Sequence, residues 1–318
     1  MTGVGVVFPA RAPAGALPGF ARSVEALGYG ELWVIEDCFL SGGLTLAATA
    51  LACTERLRVG VGLLPAAVRN AAIVSMELAT LATIHPGRLT VAFGHGVDSW
   101  MRQIGARPRN RVVALEEMVT SVRMLLAGET VNGCGELVKL EAVRLDNPPA
   151  VPPSILVGTT GPQGLRIAGS RADGVLLPEG CGAPFIEYAS SKVRAAAPAG
   201  GASAEVVAYA WLRLGDDAPA RETIAAAVAG WLDMGLFPGP MRAVGIGASA
   251  GVGTLPQPAI DELAITGRVE QCAGSAQRML DAGLSSLVVA AVGDDHLEQY
   301  ELFARDVVPE LSLAAVTS

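Results

Sequence analysis

The sequence of 318 residues predicts a single α/β domain, a (β/α)₈ TIM barrel with insertion segments, over residues 1–318. Eight short runs rich in Val, Leu and Ile recur along the chain, and each is followed by a longer Ala- and Leu-rich amphipathic stretch. Strands that alternate with helices in this way form parallel sheets. Eight such units in a chain of this length favour a closed barrel, because an open doubly wound sheet usually has fewer strands.

The predicted strands, in chain order, are GVGVVF (3–8), ELWVI (31–35), LRVGVGLL (57–64), LTVAFG (89–94), SILVG (154–158), GVLLP (174–178), EVVAYAWLRL (205–214) and SLVVAAV (286–292). Helical periodicity fills the intervals, at about 15–28, 44–55, 71–84, 111–127, 161–171, 183–197, 218–233 and 268–283, with a last helix near 295–311.

Two segments interrupt this alternation. Residues from about 128 to 153 alternate polar and apolar side chains around Asn-Gly and Gly turns and end in prolines, which predicts a small antiparallel insertion. Residues from about 234 to 267 are rich in Gly, Pro and Ala and have little periodicity. Connections of that length inside a compact domain are usually functional or mobile. We therefore interpret this second segment as a candidate lid over the mouth of the barrel.

Composition and charge exclude several other classes of protein. Hydrophobic residues make up 51% of the chain, yet no apolar stretch reaches the roughly 18 to 20 residues that span a bilayer. The amino-terminal sequence lacks the basic flank and apolar run of a secretory signal, so we expect a cytoplasmic protein without a membrane partner. A net charge of −8 without a basic cluster argues against nucleic acid as a partner.

The cysteines and histidines indicate neither a disulfide framework nor a metal site. The five cysteines are an odd number at wide spacings without a C-x-x-C motif, and the three histidines are scattered. These residues are Cys38, Cys53, Cys134, Cys181, Cys272, His85, His95 and His296.

Candidate site residues lie just after the predicted strands, because the catalytic groups of barrel enzymes lie at the carboxyl ends of the strands. Glu36 and Asp37 follow the second strand, and two adjacent carboxylates there are costly to desolvate unless they are paired or face a cleft. The alternative is a solvated strand end that caps the next helix. Val61 and Gly62 lie in the third strand, where a glycine marks a bulge, a close approach by a ligand, or tight packing.

The fourth strand ends in a loop that contains a histidine between two glycines. Gly94 and Gly96 allow the backbone around His95 to approach a flat ligand, and the imidazole titrates in the range that suits proton exchange near neutral pH. Val97 follows directly and belongs to the same loop. A purely structural histidine is the alternative.

The fifth strand runs into a turn of small residues that opens a helix. Thr159, Thr160 and Gly161 expose backbone N–H groups at a helix N-terminus, where the helix dipole favours a phosphate. Pro162 fits the first helical turn, and Gln163 follows it. An ordinary helix start is the alternative.

The sixth strand ends in a weaker signal of the same kind. Glu179 and Gly180 follow it and complete the set of candidates for the mouth of the barrel.

In this order, several segments of the chain resemble the bacterial-luciferase-like superfamily, and within it reductases of the methylenetetrahydromethanopterin reductase type, which use the deazaflavin coenzyme F-420. The resemblance covers almost the whole chain. The segments that carry it are LWVIEDCF (32–39), ACTERLRVGVGLLPAAVRN (52–70), LATLATIHPGRLTVAFGHG (78–96), ILVGTTGPQGLRIAGSRADGVLLPEG (155–180), AGLSSLVVAAVGDD (282–295) and FARDVVPEL (303–311).

The resemblance implies a role for each candidate. The second-strand motif would place an acidic side chain, Glu36 or Asp37, beside the cofactor ring. A non-prolyl cis peptide would fall near Val61 and Gly62 and support the ring. The loop after the fourth strand would line the ring and the substrate space. The GTTGPQ turn would receive the cofactor phosphate.

Two departures from the family pattern bear on function. The luciferase branch commonly has a Glu-His-His-Phe motif, but Asp37 and Cys38 occupy the two histidine positions here, which weakens an oxygen-activating role. Val97 stands where the sugar-phosphate dehydrogenases that use the deazaflavin have a glutamate. Their substrate and acid therefore do not carry over to this chain.

The expected activity is hydride transfer between coenzyme F-420 and a small organic substrate with a C=C, C=N or C=O group. Asp37 or His95 is the expected proton donor, and Glu36 would order it, since a second carboxylate and an apolar ring raise the pKa of a carboxyl group. The alternatives are an FMNH₂-dependent monooxygenase and a cofactor-binding barrel without turnover. The resemblance also implies a homodimer.

Overall fold

The computed structural model describes residues 3–200, 203–215, 218–233, 238–245 and 257–313. Its strands are β1 Gly3–Val7, β2 Glu31–Val34, β3 Arg58–Pro65, β4 Leu89–Gly94, β5 Val131–Cys134, β6 Lys139–Val143, β7 Ser154–Gly158, β8 Gly174–Leu177, β9 Glu205–Leu214, β10 Ala264–Gly267 and β11 Ser286–Ala291. All eight predicted strands are present, within one residue at each end.

The helices are α1 Leu17–Ala26, α2 Gly43–Ala52, α3 Ala71–Ile84, α4 Asp98–Gln103, α5 Arg111–Leu126, α6 Pro162–Arg171, α7 Ala183–Ala196, α8 Ala218–Asp233, α9 Pro238–Ala243, α10 Gln257–Leu263, α11 Val269–Asp281 and α12 His296–Leu302. A helix is present in each of the nine predicted intervals, and α4, α9 and α10 are additional short helices that the periodicity did not predict. In the described ranges, no helix combines the length and the apolar character that crossing a membrane requires.

The sheet closes into a barrel, which confirms the predicted fold class. Eight parallel strands pair in the order β1, β2, β3, β4, β7, β8, β9 and β11, and β11 pairs with β1 to complete the ring. Because every strand is parallel to its neighbours, all eight carboxyl ends lie at one rim. Side chains and loops that follow these strands therefore surround one mouth.

A ninth parallel strand, which the sequence pattern did not reveal, extends the sheet at this rim. β8 pairs with the first half of β9 and ends where Leu177 meets Ala208. β10 then pairs with Trp211–Leu214, on the side of β9 that β8 leaves free. Its four residues, AITG, are too short and too weakly patterned to be distinguished from the Gly- and Ala-rich segment before them.

The candidate lid thus ends in regular structure, with α9, α10 and β10 inside the interval 234–267. Residues 234–237 and 246–256 of this interval lie outside the described residues. The lid stays a prediction.

The other interrupting segment, 128–153, contains the antiparallel pair of β5 and β6. Three successive N–H groups of the hairpin turn, those of Glu136, Leu137 and Val138, donate to the carboxylate of Glu117 on α5.

Strand alternation divides the core into an outer and an inner layer. On β3, Val59 and Val61 belong to the large layer between barrel and helices. Gly60 faces the interior, where a methyl group on it would lie 2.2 Å from the Trp33 ring. The barrel interior is filled by Val7, Trp33, Ala92, Leu156, Leu176, Val207, Tyr209 and Val288. These side chains form a solid floor, and the space above it is open.

Candidate active site

A cavity of about 1070 Å³ opens at the carboxyl ends of the barrel strands. Most of the sequence-predicted site residues meet there, although they come from five separate segments of the chain. The predicted residues that line the cavity are Glu36, Asp37, Gly62, His95, Gly96, Val97, Thr159, Thr160, Gly161, Pro162, Gln163 and Glu179.

Two predicted residues on neighbouring strands do not line the cavity. Val61 is fully buried with its side chain toward α2, where a methyl group on Gly43 would meet it at 2.9 Å. Strand alternation explains this position, since the neighbouring Gly62 faces inward. Gly94 lies beneath the side chain of Leu63, which would be 2.4 Å from a methyl group on that glycine.

Gly180 is the third predicted residue outside the cavity lining. Its φ of 78° is in the left-handed region, which favours glycine. A methyl group on it would lie 3.0 Å from Met241 on α9 and 3.2 Å from Trp211 on β9. Gly180 therefore serves the close packing of α9 against the rim.

The third strand carries an irregularity close to the expected place. The peptide bond between Gly62 and Leu63 is cis, and the register with β4 shifts between Gly62 and Leu64. Gly62 and Leu63 both line the cavity.

Glu36 is held by a dense set of interactions at the rim. Its carboxylate accepts hydrogen bonds from both terminal nitrogens of Arg69, at 2.5 and 2.7 Å, and from the backbone N–H of Gly43 at 2.8 Å. Gly42, the N-cap of α2, offers no side-chain cap, so Glu36 supplies one. This hydrogen-bonded pairing raises the pKa of Arg69. The carboxylate of Glu36 is thus committed to positioning the loop that carries Asp37.

Asp37 and Glu179 form the most perturbed acidic pair of the cavity. Burial raises the pKa of Asp37, and the positive charge of Arg11 opposes that rise. Burial raises the pKa of Glu179 from its ordinary value of 4.5 to about 7, and the negative charge of Asp37 adds to the rise. Near neutral pH, the protonated form of Glu179 is therefore accessible. A carboxyl group of this kind is suited to general acid catalysis.

His95 presents a neutral imidazole to the cavity. Burial lowers the pKa of His95, and the positive charge of Arg111 lowers it further. The following residue, Gly96, has a φ of 66°, which favours glycine and keeps the loop against Met101. A neutral imidazole can donate one hydrogen bond and accept another, but it carries no excess proton.

The turn before α6 has the features of an anion site. Gly161 is the N-cap and has no side chain, and no atom beyond its chain neighbours lies within 4 Å of where a methyl group on it would be. The N–H of Gly161 donates to the hydroxyl of Thr159 at 3.2 Å. Gln163 and Gly164 carry first-turn N–H groups that have no intrahelical acceptor, and both residues line the cavity. These donors and the helix dipole favour a phosphate or carboxylate at this edge of the cavity.

A family model described as luciferase-like monooxygenase matches residues 3–298. The chain belongs to this family. It is 26% identical over 326 residues to the 5,10-methylenetetrahydromethanopterin reductase of Methanolobus tindarius, an alignment that covers 96% of the chain and 99% of the relative. As a member of this family, and with relatives of this kind, the protein is an oxidoreductase.

Two solved structures show how widely the fold of this family is shared. The coenzyme F-420 dependent tetrahydromethanopterin reductase of Methanopyrus kandleri superimposes with a TM-score of 0.80 at 19% identity, over 97% of this chain and 99% of that one. The oxygenating constituent of 3,6-diketocamphane monooxygenase from Pseudomonas putida, in complex with FMN, gives 0.77 at 17% identity, over 98% and 99%. Reductases and monooxygenases thus share this architecture.

In this luciferase-like protein, sequence reasoning missed a second part of the cavity wall. It comes from the segments after β1 and β11, from β9, and from the helices α8 and α12, with Pro9, Ala10, Arg11, Trp211, Trp231, Val292, Gly293, Asp294, His296 and Tyr300 among the lining residues. The run Gly293 to His296 directly follows the last barrel strand, so strand position alone could have indicated it. The tryptophans gave no signal, because they lie inside a strand and a helix of apolar sequence.

We predict that replacing Glu179 changes how stability depends on pH. When the pKa of a group is higher in the folded than in the unfolded protein, the group contributes stability at pH values below its unfolded pKa. This contribution to the free energy of unfolding is lost as the pH rises through the folded pKa. For Glu179 the window runs from about 4.5 to about 7. Wild type should therefore lose stability relative to Glu179→Gln as the pH rises. The free energy of unfolding of the variant minus that of wild type should increase by about 3 kcal/mol between pH 4 and pH 8.

Chemical denaturation at several pH values measures this difference. Glu141→Gln removes an exposed carboxylate on β6 and is the matched control. A gain of equal size in that control would assign the effect to the loss of charge in general. A pH-independent difference for Glu179→Gln would contradict a raised pKa at this position.

Proposed function

We propose that the cavity binds coenzyme F-420 and that the protein transfers a hydride between this deazaflavin and a small organic substrate with a C=C, C=N or C=O group. The observation that carries the proposal is the combination, in one cavity, of N–H donors suited to an anion at α6 with two protonatable carboxyl groups, Asp37 and Glu179, at the carboxyl ends of the strands. The methylenetetrahydromethanopterin reductase among the relatives supports the same chemistry.

The donor set of the cavity fits a flat cofactor with an anionic tail. Leu63 and Leu176 provide apolar surface at the floor, and the α6 turn provides N–H donors at the edge. When bound, a deazaflavin supplies a ring carbon that carries two electrons as a hydride. The open space at Gly161 is where the anionic tail would be held.

The protein's own contribution is to orient the reactants and to handle a proton. Asp37 and His95 are the proton donors that the sequence indicates, and both line the cavity. The geometry adds Glu179, whose raised pKa near 7 makes it the best reservoir of a proton at neutral pH. We propose that Asp37 presents the proton to the substrate and that Glu179 is a nearby second carboxyl group that can hold one. Glu36 positions Asp37 through its bonds to Arg69 and Gly43.

An FMNH₂-dependent monooxygenase is the second candidate, and the FMN complex among the structural neighbours favours it. A cofactor-binding barrel without turnover is the third. We expect the protein to bind F-420 more tightly than FMN, with a change in cofactor absorbance when a suitable substrate is added. Fluorescence titration with both cofactors measures the preference. Consumption of oxygen with FMNH₂ would support the monooxygenase instead, and tight binding without turnover would support the third candidate.

We predict that a large side chain at Gly161 weakens cofactor binding without destabilising the fold. The backbone there has φ −85° and ψ 149°, which any residue adopts, and the space is open. Gly161→Leu should therefore keep its thermal midpoint but lose roughly tenfold or more in affinity for F-420, because the side chain fills the phosphate space. Gly19→Leu is a control at another open glycine. Unchanged F-420 affinity in Gly161→Leu would place the anion elsewhere.

We predict that the donor variants separate binding from turnover. Asp37→Asn should keep cofactor affinity and lower turnover by roughly 10² to 10⁴, the usual range for general acid catalysis. His95→Gln should show this loss if the imidazole is the donor. Single-turnover measurements of hydride transfer, with F-420 affinity measured in parallel, distinguish the two. Near-normal turnover in both variants would mean that Glu179, a water or a substrate group delivers the proton.

We also propose a homodimer. The solvent-facing side of α3 carries three large apolar side chains, Ile73, Met76 and Ile84, which are 53%, 55% and 62% exposed. A helix face of this kind is typical of a surface that a second copy covers. Phe39 and Val68, in the loops that lead into α2 and α3, add exposed apolar area. Sedimentation velocity measures the oligomeric state.

A further inference from the structure

Tyr209 differs from the other buried tyrosines of the described residues. Its hydroxyl is buried and has no hydrogen-bond partner. By contrast, Tyr29 donates to the carbonyl of Tyr300 at 2.7 Å, and Tyr300 donates to the carbonyl of Val7 at 2.8 Å. Buried polar groups are almost always paired, so an unpaired hydroxyl calls for a physical explanation.

Tyr209 lines the cavity from the floor of the barrel. It lies on β9 and crosses the interior toward β3, with its ring edge-on to Trp33 at 5.7 Å between centroids. A methyl group on Gly62 would lie 2.1 Å from the Tyr209 hydroxyl and 2.6 Å from Leu176. The hydroxyl therefore lies against Gly62 of β3, and only a glycine at that position leaves room for it.

The charges around this hydroxyl define the partner it can take. Burial raises the pKa of Tyr209, and the negative charges of Glu179, Glu31 and Asp37 raise it further. The hydroxyl thus stays protonated and acts as a donor. The same three carboxyl groups disfavour an anionic partner at this point. A neutral acceptor, such as a carbonyl oxygen or a ring nitrogen, is the group that fits.

We propose that Tyr209 is a ligand-binding residue whose hydroxyl donates a hydrogen bond to a neutral carbonyl oxygen or ring nitrogen of the flat heterocyclic cofactor at the cavity floor. This inference rests on the proposed function for the identity of the cofactor. It explains why a hydroxyl is present where a phenylalanine ring would pack equally well. The hydroxyl is unpaired in the protein alone because its partner belongs to the ligand.

The Tyr209→Phe variant tests this, because it keeps the ring on Trp33 and removes only the hydroxyl. In the ligand-free protein, removal of an unpaired buried hydroxyl should leave the thermal midpoint unchanged or raise it by about 1 to 3 °C. In the presence of cofactor, the dissociation constant should increase about fivefold to tenfold, the effect of one neutral hydrogen bond. Differential scanning calorimetry and fluorescence titration, with F-420 and with FMN, measure the two effects.

Tyr29→Phe is the matched control, since it removes a buried hydroxyl that has a protein partner. It should lower the midpoint of the ligand-free protein and leave cofactor affinity within about twofold. Equal cofactor affinity in Tyr209→Phe and wild type would overturn the inference. A midpoint lowered as much as in Tyr29→Phe would also overturn it, because the hydroxyl would then have a partner without ligand. If wild type binds neither cofactor, the proposed function is wrong, and so is the inference that the hydroxyl of Tyr209 donates a hydrogen bond to the cofactor.

Discussion

Two aromatic rings, those of Trp33 and Tyr209, pack across the barrel interior and help to fill the space beneath the cavity. Trp33 and Tyr209 meet edge-on in the interior, and glycines at positions 60 and 62 of β3 provide the space that these rings occupy. The indole N–H of Trp33 donates to Glu31 at 2.9 Å, and Glu31 is paired with Arg58. The barrel interior is therefore packed with side chains, and the cavity opens only at the carboxyl ends of the strands.

The acidic groups at the rim differ in how far a positively charged partner neutralises them. Glu36 is paired with Arg69 and caps α2, so its charge stabilises the loop geometry. Asp37 follows directly, and burial raises its pKa while the positive charge of Arg11 opposes that rise. Glu179 is buried beside the negative charge of Asp37, and its pKa rises as a result. Two adjacent carboxylates in the sequence thus have different physical roles, because Glu36 is held in an ion pair with Arg69 and Asp37 is buried with a raised pKa.

Much of the fold was predictable, because eight strands buried in a parallel sheet leave eight clear apolar runs. β10 was missed, since a four-residue strand that pairs with only the end of β9 has no pattern of its own. For the site, the rule that chemistry follows strand ends found most of one cavity wall. Val61, which was predicted for its place beside the expected cis peptide, has its side chain toward α2 and not toward the cavity. The rule passed over Tyr209, because a tyrosine inside an apolar strand looks like ordinary core until the opposite strand is known.

The alternation of strands and helices, the closed barrel and the polar residues after the strands could be predicted from the sequence, because they depend on local periodicity and on the shared direction of parallel strands. Which of those residues is neutralised and which is protonatable became clear only from the folded chain. That outcome depends on burial and on partners distant in the chain: Arg69 lies 33 residues from Glu36, and Glu179 lies far from Asp37 in sequence. Electrostatic free energy depends on distance and solvent exposure, and neither can be calculated before the chain is folded.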